Sequence, residues 1–336
     1  MSRNNLKSSI LRGALALALL LGLLWYVGFK TTFDVLFRAD LLYLAGLFAL
    51  AFLLIAVSCL KWQLFISAAG HQVRLLPLMR YYTTSYFFNL FMPSIVGGDV
   101  ARSYQLGREL SSYRSIFAAT FVERFTGFAA MVLVGLIFVL GGVKITEGIE
   151  YAVYSVAAIT FGASAVLLSR RVCDLACRIL KGTAAAAGLV SAVGFIERWY
   201  PKLIEAIEFV HGKPRLMFKA LLWSLLFHFL AVVNTYVAAR AIGWDTADLA
   251  GLCVVVPLVL LVSIAPVAPS GIGIQEGAFV YFLTRLGATQ PQALAVAILL
   301  RAKNIVIALI GGMLWLLTER NNPTPVPGEQ PEPISI

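Results

Sequence analysis

Residues 249–275 read LAGLCVVVPLVLLVSIAPVAPSGIGIQ, twenty-seven positions without a charged side chain. About twenty apolar residues cross the hydrocarbon core of a bilayer, so the run is long enough to span. Pro257, Pro266, Pro269, Gly271 and Gly273 interrupt it. Proline removes a backbone donor and clashes with the preceding turn. The stretch therefore reads as a membrane segment whose helix breaks part-way. The freed N–H and C=O groups cannot face lipid, so the break must line a cavity or pack against protein.

The same criterion, applied outward, marks spans at Gly13–Phe29, Leu41–Leu60, Phe125–Val143, Tyr151–Ser169 and Ala220–Ala239. A last apolar segment, Gln290–Thr318, carries Arg301 and Lys303 inside it. Tyr81–Gly98 is a second broken segment, interrupted by Pro93, Gly97 and Gly98. Across all 336 residues 60% are hydrophobic and 13% charged, against about 45–50% and about 25% for soluble domains. Too few charges remain to wet a soluble surface, and too much apolar surface is present for disorder. A transmembrane barrel would show alternating segments of about ten residues, not continuous runs. The fold class expected is an all-α polytopic membrane protein with about seven or eight transmembrane helices, two of them broken or re-entrant. Whether 274–287 crosses or re-enters stays open, and with it the side of the C-terminus.

Residues 1–320 read as one integral-membrane domain, with a cytoplasmic connection at 170–219. A Pro-rich, disordered tail follows at 321–336. Of 27 Lys and Arg, 19 fall in the N-terminus, residues 61–124 and residues 170–219, and only 4 in the alternate connections. The positive-inside rule puts the first three groups, and so the N-terminus, in the cytoplasm. The net charge of +10 is explained by that bias and calls for no nucleic acid. The first apolar run is too long for a signal-peptide core and lacks a small-residue cleavage site, so it reads as an uncleaved helix. Within the cytoplasmic connection, Leu203, Ile204, Ile207 and Val210 share a face after Pro201; this reads as an amphipathic helix on the membrane surface or packed in the loop. Four cysteines and three histidines show no disulfide framework and no metal spacing. No cofactor is expected.

The chemistry lies in charges placed where they are costly. Asp99, Arg102, Glu123, Arg124, Glu276, Arg301 and Lys303 sit in or beside apolar segments, at about 2.5–3.5 kcal/mol each on insertion scales. They must pair or line a hydrated cavity. A helix starting after Gly98 would aim N–H groups at an anion, with Asp99 as its N-cap or as a ligand and Arg102 as a phosphate contact. In the second break, Pro269, Gly271, Gly273 and Glu276 repeat the design. Asp99 precedes Arg124 by 25 residues, and Glu276 precedes Arg301 by 25. Gly/Pro-interrupted segments in two halves point to a transporter site at a repeat interface, here an inverted repeat. Arg301, near the midplane of its helix, needs Glu276 or Asp99 as partner. His228 and Asn234 read as interhelical hydrogen-bonders.

The run Asn89…Pro93…Gly97-Gly98-Asp99…Arg102, then Glu123-Arg124…Gly127, then Pro266…Pro269-x-Gly271-x-Gly273-x-x-Glu276, resembles the lysylphosphatidylglycerol synthase/flippase transmembrane family. The resemblance implies the flippase-like membrane module alone, without the soluble aminoacyl-transfer domain. It implies membrane lipids, and lipid-biosynthesis enzymes, as partners. It implies a bacterial inner-membrane protein that moves a phospholipid, glycolipid or other polar lipid through a charged intramembrane cavity. Asn89, Pro93, Gly97, Gly98, Asp99, Arg102, Glu123, Arg124, Pro269, Gly271, Gly273, Glu276, Arg301 and Lys303 would then meet the headgroup. The family pattern often reads Pro-Gly-Gly where this chain has Pro269-Ser270-Gly271. No catalytic residue is expected. The competing readings are a membrane glycosyltransferase, with Asp34 and Asp40 as its acids, and an accessory subunit of lipid or glycan biosynthesis. No ATP-binding motif stands out, so movement would be downhill or gradient-driven.

Overall fold

The computed structural model describes residues 18–92, 97–143, 149–168, 170–186, 204, 208–263 and 269–321, all helix, turn or loop with no strand. The described parts of Pro201–Val210 are too few to show the expected surface helix, and Pro93 and the tail beyond 321 fall outside the described residues. Two short helices open the chain, α1 (Ala18–Val27) and α2 (Phe29–Phe37), bent by 86° at Gly28. The bend falls at the end of the expected span Gly13–Phe29, of which residues before 18 lie outside the described residues. Gly28 adopts φ 104, a conformation open to glycine. The hydroxyls of Thr31 and Thr32 donate to its carbonyl and hold the corner.

Four 28-residue stretches are long and apolar enough to cross: α3 (Leu41–Ala68), α6 (Tyr113–Leu140), α9 (Pro214–Ala241) and the first part of α12 (Gln290–Asn321). Asp40 caps α3 by accepting the Leu42 N–H, a structural task for one of the acids read as catalytic. α3 runs on past Leu60 through Lys61, and α6 begins before Phe125, so Glu123 and Arg124 lie within it. Both helices extend beyond the charge-free windows because their buried charges are paired, as shown below.

α3 and α9 pack antiparallel along their length. Asp40 N–H donates to the Ala241 carbonyl at one end, and Lys213 Nζ to the Ala68 carbonyl at the other. α6 also runs against α3, with Trp62 Nε1 donating to Thr120 Oγ1 and Ser115 near His71 at the face where α3 ends. Between the long helices the chain makes two helical hairpins. The first is α4 (Leu75–Phe91) and α5 (Gly97–Glu109). Its open end is tied by the Tyr81 hydroxyl and Glu109, and its tip by the Gly98 N–H donating to Asn89 Oδ1 at 2.6 Å. Gly98 allows that approach; a Cβ there would lie 2.3 Å from the Ser85 carbonyl. The second is α10 (Leu249–Val262) and α11 (Ile274–Arg285). Gly251, at its start, touches Leu286 at its finish.

The arms of these hairpins run only about 18–26 Å at 1.5 Å per residue, short of the roughly 30 Å core. Both ends of each hairpin return to one end of the bundle, and residues 274–285 form the returning arm of the second. The first hairpin follows the end of α3 and the second follows the end of α9. Because α3 and α9 are antiparallel, the hairpins enter from opposite faces. With the bent α1–α2 pair, the described residues hold up to five segments long and apolar enough to cross, beside the two hairpins and the shorter apolar helix α7 (Ile149–Leu168). A charged helix, α8 (Arg170–Ala186), follows α7.

Small residues set the closest crossing. At Gly311 of α12 a Cβ would sit 2.1 Å from the Thr83 carbonyl of α4. Close backbone approach of this kind is how membrane helices associate without a hydrophobic drive between them. Gly311→Leu is expected to cost about 1–3 kcal/mol by overpacking, read as a lowered unfolding temperature of the detergent-solubilised protein. Gly162→Leu, where nothing lies within 4 Å of the added Cβ, should leave that temperature unchanged.

Candidate functional site

The first cluster joins α3, α5 and α6. Glu123 and Arg124 are consecutive on α6, about 100° apart around the helix, and they reach different partners. Glu123 meets Arg102 Nη2 at 2.5 Å and Lys61 Nζ at 3.0 Å. Arg124 grips both oxygens of Asp99, Nη2 at 2.6 Å from Oδ1 and Nε at 2.5 Å from Oδ2. Arg102, one turn after Asp99, closes the chain of charges by donating Nε–H to Asp99 Oδ1 at 3.0 Å. Of the two roles open to Asp99, N-cap or ligand, the structure does not show the first: Asp99 lies in the first turn of α5, two residues after its start. Its carboxylate is turned sideways onto two arginines, because their attraction in a low-dielectric site outweighs capping.

Arg102 is fully buried. Its guanidinium lies 4.4 Å from the ring centroids of both Trp62 and Tyr82, a double cation–π contact. One of its nitrogens, Nη1, has no hydrogen-bond partner among the described residues. Arg124 differs: 40% of its side chain is exposed. Of the ion pairs in this cluster, only the Asp99–Arg124 pair has an arm open to an incoming ligand.

The second cluster sits at the tip of the second hairpin. Arg301 of α12 donates Nε–H to Glu276 Oε1 at 2.6 Å, Nη1–H to the Ser270 carbonyl at 2.9 Å and Nη2–H to Gln275 Oε1 at 3.0 Å. Glu276 Oε2 accepts the Gly273 N–H at 2.7 Å, so one carboxylate both caps α11 and holds the arginine. The turn needs left-handed backbone: Gly271 and Gly273 have φ 65 and 85, and so does Ser270, at φ 52. The Ser270 side chain therefore stands where glycine would be free of strain. The 3-10 turn at Pro269–Gly271 packs on α4, the arm that carries Tyr82 and Asn89 of the first cluster.

Lys303 lies two residues beyond Arg301 and points elsewhere. Buried, it donates to Asn234 Oδ1 at 2.7 Å, while Asn234 Nδ2 donates to the Leu47 carbonyl. No carboxylate faces Lys303 among the described residues. His228 Nε2 donates to the Gly127 carbonyl at 2.9 Å, the tautomer being dictated by an acceptor-only partner. Both Asn234 and His228 thus bridge helices.

The structure brings Asn89, Gly97, Gly98, Asp99, Arg102, Glu123 and Arg124 together, and Pro269, Gly271, Gly273, Glu276 and Arg301 together, with Lys303 apart. The sequence reading missed Lys61, Trp62 and Tyr82. Lys61 had a signal: it is followed by Trp62 and then Leu64–Ile66, so the apolar run resumes around it. Among the described residues the charged groups of the two clusters pair with one another, the first of the two outcomes expected from sequence. A cavity of about 230 Å³ is apolar, between α6, α7 and α9, lined by Val122, Phe125, Ala129, Met217, Phe218 and Leu221 among others. Among the described residues, four cations (Lys61, Arg102, Arg124, Arg301) pair with three carboxylates (Asp99, Glu123, Glu276) in these clusters, and Lys303, held by Asn234 alone, adds to the excess of positive charge.

A family model described as "Lysylphosphatidylglycerol synthase TM region" matches residues 12–312. No curated protein and no solved structure matches the chain.

Removing one partner of a buried pair leaves the other uncompensated, at about 3–5 kcal/mol. Glu276→Gln should therefore lower the unfolding temperature more than the double change Glu276→Gln with Arg301→Gln. A double-mutant cycle on the detergent-solubilised protein checks this; simple additivity would contradict the pairing. Ser270→Gly should stabilise by about 1 kcal/mol through relief of its left-handed backbone.

Proposed function

We propose, from the fact that this chain belongs to the lysylphosphatidylglycerol synthase TM region family, that it moves a polar lipid bearing an anionic phosphate between the leaflets of the bacterial inner membrane. The N-terminus lies in the cytoplasm in this reading, as the basic connections require. The observation that carries the proposal is the pair of hairpins entering from opposite faces, each with an acid that an arginine holds from the next long helix.

In this reading Asp99 and Glu276 keep their arginines neutralised while no lipid is bound. A lipid phosphate offers several acceptor oxygens in the geometry that guanidinium binds bidentately. Exchange of carboxylate for phosphate keeps Arg124 paired, and the displaced Asp99 keeps Arg102 as its partner, so neither charge is left bare. The excess of buried cations gives a phosphate a favourable place to rest. Arg102, locked between two aromatic rings, positions Asp99 and Glu123 and stays fixed. The acyl chains remain in the bilayer beside the exposed apolar helix faces. Opposed hairpins give each leaflet an equivalent entrance, as in inverted-repeat transporters.

Purified protein in liposomes containing fluorescent analogues of phosphatidylglycerol, phosphatidylethanolamine and a polyprenyl-phosphate lipid tests this. Transbilayer movement, read as loss of fluorescence to an impermeant reductant, should exceed that of empty liposomes for at least one of them. Arg124→Ala should slow that movement by about tenfold or more, as expected for loss of one charge-assisted contact, with the protein still monodisperse. Rates equal to empty liposomes for every lipid would overturn the proposal.

A further inference from the structure

We infer that α8 is an interfacial helix that seats the protein on an anionic leaflet at the face where α3 ends, a role independent of lipid movement. Its sequence, RRVCDLACRILKGTAAA, holds Arg170, Arg171, Asp174, Arg178 and Lys181 within 17 residues, so it does not cross. Three sides are distinct around the helix. Cys173 and Cys177, one turn apart, are buried in a cluster with Phe65, Ala119, Val122 and Ala220. Those partners lie in the last turn of α3 and the early turns of α6 and α9, all at one end of the bundle. That contact fixes α8 at the level of the helix ends.

The second side carries Val172, Leu175, Ile179 and Leu180. Their exposure runs from 39% to 55%, although each is large and apolar. The third side carries the charges, with Arg171 and Arg178 exposed to solvent. Arg170 makes an outward ion pair at 3.4 Å with Glu208, both side chains more than half exposed. An apolar strip flanked by arginines is the composition that lies in a headgroup layer, with the apolar face at the acyl boundary and the cations on lipid phosphates. α7 ends at Leu168, so α8 starts where a membrane helix leaves off. A protein partner would cover the apolar strip but would have no use for basic side chains along one edge, and the connection 170–219 is the most basic of the chain, with nine Lys and Arg.

The test places a reporter on the apolar strip. Leu175→Trp is compared with the unmodified protein, whose six tryptophans supply a constant background. Both are measured in nanodiscs of phosphatidylcholine with and without phosphatidylglycerol. Lipids brominated near the headgroup end of the chain should quench the added tryptophan, and by about twofold more when phosphatidylglycerol is present. Aqueous acrylamide should not. Arg171→Glu with Arg178→Glu should abolish the gain from phosphatidylglycerol while leaving size-exclusion behaviour unchanged. Ile179→Trp serves as a second reporter where Leu175→Trp does not fold. Quenching by acrylamide and not by brominated lipid would overturn the inference. So would protection from both quenchers, which would assign the strip to a protein partner or a second copy.

Discussion

A guanidinium held against a carboxylate inside hydrocarbon is the interaction on which the rest of this structure depends. An unpaired charge at that depth is costly, so the assembled bundle is the arrangement that gives each one a partner. The pairing dictates the packing. Arg124 can reach Asp99 only if α5 lies along α6, and Arg301 can reach Glu276 and Ser270 only if the tip of the second hairpin rests on the middle of α12. Each hairpin tip is thereby tied down by charge. Glycines such as Gly98 and Gly311 bring the backbones close enough for those ties to form.

The two halves solve the same problem in opposite orientations. Each consists of a long helix, a helical hairpin and a second long helix, and each places an acid near the start of the returning arm. In each, the arginine lies 25 residues after the acid, and the structure makes both pairs into direct contacts. The halves are unequal in detail. The first has a five-membered network with an aromatic clamp on Arg102, and one arm of it is open at Arg124. The second is a compact staple in which Arg301 also ties the Ser270 carbonyl and Gln275.

The packing of α8 adds a different kind of anchoring. Spanning helices set the depth of the protein by their length. α8, held by its cysteine side to the ends of three other helices, would, as an interfacial helix, also restrain the tilt of the bundle relative to the membrane normal. Burial, reinforced by Cys177, pushes the Cys173 thiol up to about 11, so Cys173 is neutral at pH 7 and packs as an apolar group.

The sequence by itself determined the solvent: continuous apolar runs and scarce charge leave only a helical membrane protein. It also located the helix breaks near Gly97-Gly98 and near Pro269–Gly273, though Pro257 proved to lie inside an unbroken helix and the bend at Gly28 went unread, and it showed which charges are out of place. The 25-residue spacing was legible, being a matter of counting along one chain. What only the tertiary structure decided was who pairs with whom. Asp99 could cap its helix or reach an arginine, and local sequence is equal to both until α6 arrives beside it. Lys61 stood at the edge of a span until Glu123, 62 residues away, drew it inside. The direction in which each hairpin returns was likewise set by the antiparallel packing of α3 and α9, a contact between residues about 200 positions apart. Partners so distant in the chain meet only after the helices assemble, and no local pattern records that meeting.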